Sequence, residues 1–146
     1  MNFGEILITE EQIIAKSTLV FAFINIKPFL PYHILISPIK VVERFKDLTI
    51  EERNDLIAMI SNLMNGLDSL GTAWNVNLQD GVDSGQTIPH VHFHLIPRNP
   101  NDLKRNNDIF EKLDIGFECK NKTIQEMKQE ADFLREMLKK NGIHFE

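Results

Sequence analysis

Three of the five histidines in the chain fall within five residues, as His90, His92 and His94. The apolar residues Val91 and Phe93 alternate with them, which is the pattern of a half-buried strand. Successive side chains of a strand point to opposite faces, so the three imidazoles are predicted to share one face. Packing does not require histidine at each polar position of such a strand, and the pattern therefore indicates chemistry.

Three interpretations fit this face, and the first, a solvated face of polar residues, explains the choice of histidine poorly. The second is a metal site. Same-face neighbours are about 6.7 Å apart, so two rings could bind one ion while further ligands came from His33, His144, Cys119 or carboxylates. The third is nucleophilic catalysis on phosphorus, because imidazole is nucleophilic near neutral pH and adjacent rings can donate to phosphate oxygens. Only the third uses all three histidines, and we favour it, with no metal held by the protein.

The loop before the histidines, DGVDSGQTIP at residues 80–89, contains two glycines. Glycine lets backbone N–H groups turn inward around an anion. Gln79 precedes the loop, and its amide can donate to a phosphate oxygen. A DG turn between strands is commonly only a hairpin, but its position directly before the histidines favours a phosphate cradle.

The rest of the chain supplies elements that can position these residues. β-branched and aromatic stretches predict strands, at 12–26 as strand, turn and strand, and at 33–37, 74–78 and 90–96, the last ended by Pro97. Capping boxes open two predicted helices, at 49–70 and 123–141, and Gly71 is the expected left-handed end of the first. The polar stretch 98–122 is predicted to be a mobile loop. This order predicts a single α+β domain over residues 1–146, with a mostly antiparallel sheet of about five strands, one long helix and a C-terminal helix.

Composition excludes several classes of protein. The net charge of −5 argues against a general nucleic-acid binder, and the longest apolar run is too short to span a membrane. The acidic start does not resemble a secretory signal, and the single cysteine fits a reducing compartment. We expect a cytoplasmic protein, with the nucleus as a second location, that has no membrane or nucleic-acid partner.

Together these motifs resemble the histidine-triad (HIT) family, whose signature His-φ-His-φ-His-φ-φ, with φ apolar, is matched at residues 90–96. The stretches LVFAFINIKPFLPYHILISP, VERFKDLT, LQDGVDSGQTIPHVHFHLIPR and KRNNDIFEKL are similar to the fragile-histidine-triad branch in order and spacing. The resemblance implies a HIT-like fold. It also implies hydrolysis of dinucleoside polyphosphates of the diadenosine triphosphate type to a nucleoside monophosphate and a nucleoside diphosphate, which is bis(5'-adenosyl)-triphosphatase activity.

The resemblance also implies roles for single residues. His92 would attack the α-phosphorus and become nucleotidylated, His94 would contact phosphate and assist the leaving group, and His90 would orient the nucleophile. His33 matches a fourth histidine that supports the triad, and Asn25 matches a residue that binds ribose. The phosphate-contacting residues would be Gln79, Gly85, Gln86, Thr87 and Ile88, with His94. Phe3, Ile6 and Phe23 would line the base pocket.

A divalent cation, Mg²⁺ or Mn²⁺, would accompany the substrate phosphates. The family further implies a homodimer that associates through the long helix and an edge strand. Alternative functions are a nucleoside phosphoramidate hydrolase of the same family, a nucleotide-sensing binding protein with little turnover, a metal-dependent enzyme and a nucleotidyl transferase.

Three positions depart from the family pattern. Tyr32 stands where glycine is usual before His33, and we expect it to reshape one wall of the pocket. Phe110 replaces a tyrosine of the mobile loop, so the hydroxyl is missing there. Ile6 replaces a polar residue near the nucleoside, which predicts altered base contacts.

Overall fold

The computed structural model describes residues 1–113 and 120–145 of the chain. The strands are β1 Asn2–Phe3, β2 Ile6–Leu7, β3 Ile13–Lys16, β4 Val20–Ile24, β5 Ile34–Pro38, β6 Ala73–Leu78 and β7 Phe93–Arg98. The central feature is a five-stranded sheet of order β3-β4-β5-β7-β6, in which every neighbouring pair is antiparallel. A separate two-stranded hairpin, β1–β2, precedes it.

The helices are α1 Ile50–Gly66, α2 Asp108–Lys112 and α3 Ile124–Lys140. Both long helices begin at the predicted capping boxes, where Thr49 accepts the N–H of Glu52 and Thr123 accepts that of Glu126, each at 3.1 Å. The predicted α+β class, with an antiparallel sheet of five strands and two substantial helices, is confirmed.

The two faces of the sheet carry different sets of residues because side chains alternate along each strand. Ala22, Ile24 and Ile36 form one face and join the main core with residues of α1 and α3, such as Leu63 and Leu134. The opposite face carries a second apolar cluster of Phe3, Ile8, Ile13, Phe21, Phe23 and Leu35. His94 lies directly opposite Leu35 in the sheet register, so it shares this second face.

The predicted strand at 90–96 is wrong at both ends, since β7 spans Phe93–Arg98. His90 and His92 precede the strand because the backbone of this segment forms hydrogen bonds outside the sheet. The His90 N–H donates to Ile88 O at 2.8 Å, and the Val91 N–H donates to Val42 O at 2.7 Å. Pro97 does not end the strand. Pairing with β5 stops at Leu95, so at Pro97 only β6 remains as a neighbour, a position where proline is tolerated.

Gly71 does not end a helix in a left-handed conformation, and that prediction is also wrong. The helix α1 ends at Gly66, a 3₁₀ turn follows at Asp68–Leu70, and Gly71 is extended with φ −159°. A Cβ at this position would lie 2.8 Å from the carbonyl oxygen of Arg98. Glycine is therefore needed for the close approach of the chain to β7.

The stretch 98–122 is not wholly without secondary structure, contrary to expectation. Arg98 belongs to β7, and Asp108–Lys112 form α2. The Arg98 guanidinium donates to both carboxylate oxygens of Asp102 at 2.8 Å and to Asn75 Oδ1 at 2.7 Å, which ties the start of the loop to the sheet. Residues 114–119 lie outside the described residues, and the mobility of the loop stays a prediction.

No helix within the described ranges is long and apolar enough to cross a lipid bilayer.

Candidate active site

The histidine cluster lies where the segment before β7 enters the middle of the sheet. His94 projects from β7 itself, and His92 precedes it by two residues. Their ring centroids are 5.2 Å apart, with the rings edge to face. The ring of Phe3, from the β1–β2 hairpin, packs edge to face against His92 at 4.8 Å. The predicted grouping of these rings on one side of the sheet is therefore observed, although only His94 belongs to the strand.

His90 is fully buried, and both of its ring nitrogens are engaged. Its Nδ1 accepts the N–H of Gly4 at 2.8 Å, so Nε2 carries the proton and donates to Pro38 O at 2.8 Å. Burial lowers the pKa of His90, which keeps the ring neutral. With no free nitrogen, His90 cannot act as a nucleophile.

The backbone of His90 fixes the tautomer of His92. The Nδ1–H of His92 donates to the carbonyl oxygen of His90 at 2.8 Å. The other nitrogen, Nε2, is therefore the unprotonated one, and the ring lines the cleft described below. Burial lowers the pKa of His92, so the ring is neutral at pH 7. A neutral imidazole with a free Nε2 is the nucleophilic form.

A hydrogen-bonded chain fixes the proton of His94. The backbone N–H of Phe29 donates to His33 Nδ1 at 3.1 Å, so His33 carries its proton on Nε2 and donates it to His94 Nδ1 at 2.9 Å. His94 must then carry its own proton on Nε2, which is buried without a hydrogen-bond partner. Burial, helped by His92, lowers the pKa of His94 to about 3, and burial holds the pKa of His33 well below its ordinary value.

A cleft of about 520 Å³ opens beside these rings. One end is apolar, and we call it the apolar end: it is formed by Phe3, Ile8, Phe23 and Leu35 of the second cluster. Phe3, Ile6 and Phe23, the residues expected at the base pocket, all line the cleft. A volume of this order suits a small organic ligand.

The loop at 79–89 contributes a second wall. Gln79, Gly85, Thr87 and Ile88 line the cleft. Gly85 has φ +99°, and a Cβ there would lie 2.4 Å from Gln79 Nε2, so this position requires glycine. The Gln79 Nε2 amide donates to the carbonyl oxygens of Ser84 and Leu113, both at 3.2 Å.

Gln86 is not brought to the cleft, unlike its neighbours. Its Oε1 accepts the N–H of Gly81 at 2.7 Å, and its Nε2 donates to the carbonyl oxygens of Glu43 and Ile88 at 2.9 and 3.1 Å. The buried amide of Gln86 stabilises the conformation of the loop through these hydrogen bonds. The backbone N–H of Gln86 donates to Gly81 O at 3.2 Å, so the predicted contact of Gln86 to phosphate would have to replace this bond.

Asn25 lines the opposite wall and connects it to the histidine chain. Its Oδ1 accepts the N–H of Lys27 at 3.0 Å, and its Nδ2 lies 3.4 Å from His33 Nδ1. Asn25 therefore joins His92, His94 and Gln79 around one cleft. His33 and His90 lie behind this wall as buried supports.

Residues 8–101 match the family model described as HIT domain. The chain belongs to the HIT domain family. A bis(5'-adenosyl)-triphosphatase of Dictyostelium discoideum is 36% identical over 141 residues, a match that covers 95% of this chain and 93% of that protein. The bifunctional bis(5'-adenosyl)-triphosphatase/adenylylsulfatase FHIT of Arabidopsis thaliana is 34% identical over 148 residues, covering 92% and 82%.

A solved structure has the same fold as this HIT domain. The Plasmodium falciparum diadenosine triphosphate hydrolase, crystallised with cyclomarin A, superimposes with a TM-score of 0.76 at 29% identity and covers 95% of this chain and 84% of that one.

The three departures from the family pattern have different outcomes in this HIT domain. Tyr32 does not line the cleft; it adopts φ +63° and packs on Phe133 of α3, with ring centroids 5.8 Å apart, so the predicted reshaping of a wall is wrong. Phe110 is 57% exposed on α2 and lies outside the cleft. Ile6 does line the cleft, as expected of a residue near the nucleoside.

Gln12, Lys27 and Phe29 are among the cleft residues that were not predicted from the sequence. Phe29 contacts two of the histidines: its ring packs on His33 with ring centroids 4.6 Å apart and stacks on His94 at 5.9 Å. A polar residue at the start of the apolar run QIIA was the available signal for Gln12. Lys27 and Phe29 flank Pro28 in the loop after Asn25, and only the fold brings them to the histidines.

Within residues 1–113 and 120–145, no three side chains of His, Cys, Asp or Glu are grouped so that they could hold a metal ion. Cys119, a ligand considered for such a site, lies outside the described residues.

Proposed function

We propose that this HIT domain hydrolyses dinucleoside polyphosphates of the diadenosine triphosphate type to a nucleoside monophosphate and a nucleoside diphosphate. One observation carries the proposal: His92 presents a free, neutral Nε2 and His94 presents an Nε2–H, side by side in one cleft. A nucleophile beside a hydrogen-bond donor, which stabilises the developing negative charge, is what transfer of a nucleotidyl group to a histidine needs. The relatives that carry the names of such hydrolases support the same reaction.

In the first step, His92 Nε2 attacks the α-phosphorus, and the bond from this phosphorus to the bridging oxygen breaks. The nucleoside diphosphate departs as an anion, and the Nε2–H of His94 donates a hydrogen bond to its oxygen. The nucleotidylated His92 carries a positive charge, which its Nδ1–H shares with the carbonyl oxygen of His90. The hydrogen bond from His33 holds His94 in the tautomer that can donate this hydrogen bond.

In the second step, water attacks the same phosphorus, and the bond from phosphorus to His92 Nε2 breaks. The water loses a proton to solvent as it attacks, and a nucleoside monophosphate leaves. Both histidines are then in their starting tautomers. The cationic imidazole is a good leaving group because it departs as neutral His92.

The remaining cleft residues bind the substrate. Asn25 faces the ribose, the apolar end receives the base, and the loop from Gly85 to Ile88 lies beside the phosphates with Gln79. The N–H groups of Gly85 and Gln86 donate to Val82 O and Gly81 O, so among the described residues those of Thr87 and Ile88 are the backbone donors left for phosphate. The Gln79 amide reaches a phosphate oxygen by exchanging one of its bonds to Ser84 O and Leu113 O. Mg²⁺ or Mn²⁺ enters as part of the substrate, bound to its phosphate oxygens.

The test is turnover of diadenosine triphosphate by the unmodified protein and by His92→Asn, with products separated by chromatography. We expect AMP and ADP in equal amounts from the unmodified protein, and loss of most turnover in the variant with nucleotide binding retained. Wild-type turnover by His92→Asn would refute the role of His92. Diadenosine tetraphosphate and adenosine phosphoramidate serve as parallel substrates: faster cleavage of the phosphoramidate would favour the alternative hydrolase, and tight binding without turnover would favour a sensor.

We also propose a homodimer. β6 is an edge strand of the sheet, where Val76 is 43% exposed, and α1 exposes Ile57 at 57%. Exposed apolar side chains at an unpaired sheet edge favour association. Light scattering after size exclusion should give a particle of twice the chain mass of 16.9 kDa. The variant Val76→Lys should give the mass of one chain. The cytoplasm, with the nucleus, remains the proposed location.

A further inference from the structure

The apolar end of the cleft contains a polar side chain that the proposed chemistry does not use, Gln12. It is 7% exposed and lines the cleft together with apolar residues such as Ile8 and Phe23. In the chain it follows the loop from Ile8 and directly precedes Ile13, and both of these residues belong to the second apolar cluster. A buried amide in such surroundings normally has partners for its N–H groups.

The orientation of the Gln12 amide is fixed by one hydrogen bond. Its Oε1 accepts the backbone N–H of Thr9 at 3.4 Å, so Nε2 occupies the other side of the group. None of the hydrogen bonds formed by the described residues uses this Nε2, and it is not among the polar atoms sealed from solvent. Because the residue lines the cleft and Oε1 is bonded to the Thr9 N–H, Nε2 is the amide atom that is left for an occupant of the cleft.

A nucleobase has apolar faces and a polar edge. At the apolar end its faces meet rings such as Phe3 and Phe23, which offer nothing to the edge. Adenine presents three ring nitrogens, N1, N3 and N7, that accept hydrogen bonds. A donor that is already fixed, on a side chain only 7% exposed, discriminates against a base that lacks the matching acceptor.

We infer that Gln12 reads the base by donating an Nε2–H to a ring nitrogen of the purine. The inference rests on the proposed function, which supplies adenosine as the occupant of the cleft. It makes Gln12 a determinant of base specificity, with no part in the transfer of the nucleotidyl group.

The test uses binding to the His92→Asn protein, so that nothing is turned over. Calorimetry would compare AMP with its 1-deaza, 3-deaza and 7-deaza analogues, each of which replaces one ring nitrogen by C–H. We expect one analogue to bind about fivefold to tenfold more weakly than AMP, the size of one lost hydrogen bond, and the other two to bind like AMP.

The second measurement adds Gln12→Met, which keeps the length of the side chain and removes the donor. The affinity for AMP should fall by the same factor, and the difference in affinity between AMP and the sensitive analogue should disappear. Gln12→Glu, of the same shape, should also abolish the difference. Gln79→Met is the matched control at the phosphate loop: whatever its effect on the affinity for AMP through the phosphate, the difference between AMP and the analogue should remain.

Two results would overturn the inference: equal binding of AMP and all three analogues, or a difference that survives in Gln12→Met. These results are independent of the proposed reaction. Failure of the unmodified protein to cleave diadenosine triphosphate, with the analogue difference present, would reject the hydrolase and keep the role of Gln12.

Discussion

Acidification from pH 7 to pH 5 should weaken the fold through its buried histidines, and His94 allows the size of the effect to be worked out. Burial lowers the pKa of His94 to about 3 in the folded protein, whereas histidine in an unfolded chain titrates near 6.5. Between these values the unfolded chain binds a proton that the folded protein does not. The stability due to the neutral ring is therefore complete above pH 6.5 and is lost as the pH falls toward 3.

The magnitude follows from the two pKa values. At pH 7 about a quarter of unfolded chains carry this proton, and at pH 5 nearly all of them do, which gives a loss of about 2 kcal/mol in the free energy of unfolding from His94 alone. Carboxylates contribute little in this window, since their unfolded pKa values are near 4. Burial also holds the pKa of His33 well below its ordinary value, so its contribution has the same sign.

Urea unfolding, followed by the fluorescence of the single tryptophan Trp74, would measure this loss at pH 5, 6 and 7. In His94→Asn, the loss between pH 7 and pH 5 should be smaller than in the unmodified protein by about 2 kcal/mol. The exposed His144 supplies the control, because His144→Asn should retain the full loss. An equal loss in His94→Asn and the unmodified protein would mean that His94 takes up its proton in the folded state, and the argument for a neutral donor would fail.

Two further predictions concern the support of the site. His33→Leu removes the donor that keeps the proton of His94 on Nε2, so turnover of diadenosine triphosphate should fall by about a hundredfold; turnover at the rate of the unmodified protein would contradict the hydrogen-bonded chain. Gly71→Ala should destabilise the protein by about 1–3 kcal/mol in urea unfolding, because the new Cβ would lie 2.8 Å from Arg98 O; unchanged stability would show that the two backbone segments separate easily.

Features that depend on neighbours in sequence were predicted well. The alternation of histidines with Val91, Phe93 and Leu95 identified the side of the sheet that carries the site, and the capping boxes located the starts of α1 and α3. These signals are local, since each involves residues no more than four positions apart. The long helices and the sheet class follow from them.

Features that depend on distant partners could not be predicted. The segment at His90 leaves the strand because the Val91 N–H bonds to Val42 O, and the His90 ring bonds to Gly4 and Pro38, which lie 86 and 52 residues away in the chain. Gly71 resembles a helix end in sequence, but Arg98 is the reason for glycine there. Gln86 resembles a phosphate ligand, and its amide instead closes the loop on Glu43 O. In each case a contact made only by the folded chain decides what the residue does.

The bond from Gly4 to His90 has a consequence for the β1–β2 hairpin. Protonation of His90 would place a second hydrogen on Nδ1, directly against the Gly4 N–H, and the hairpin would lose this attachment to the body of the protein. Phe3 belongs to the hairpin, so its ring would also move away from His92. The protonation state of His90 therefore determines how firmly the hairpin, one wall of the substrate cleft, is attached. A ligand that binds against Phe3 should in turn make His90 harder to protonate.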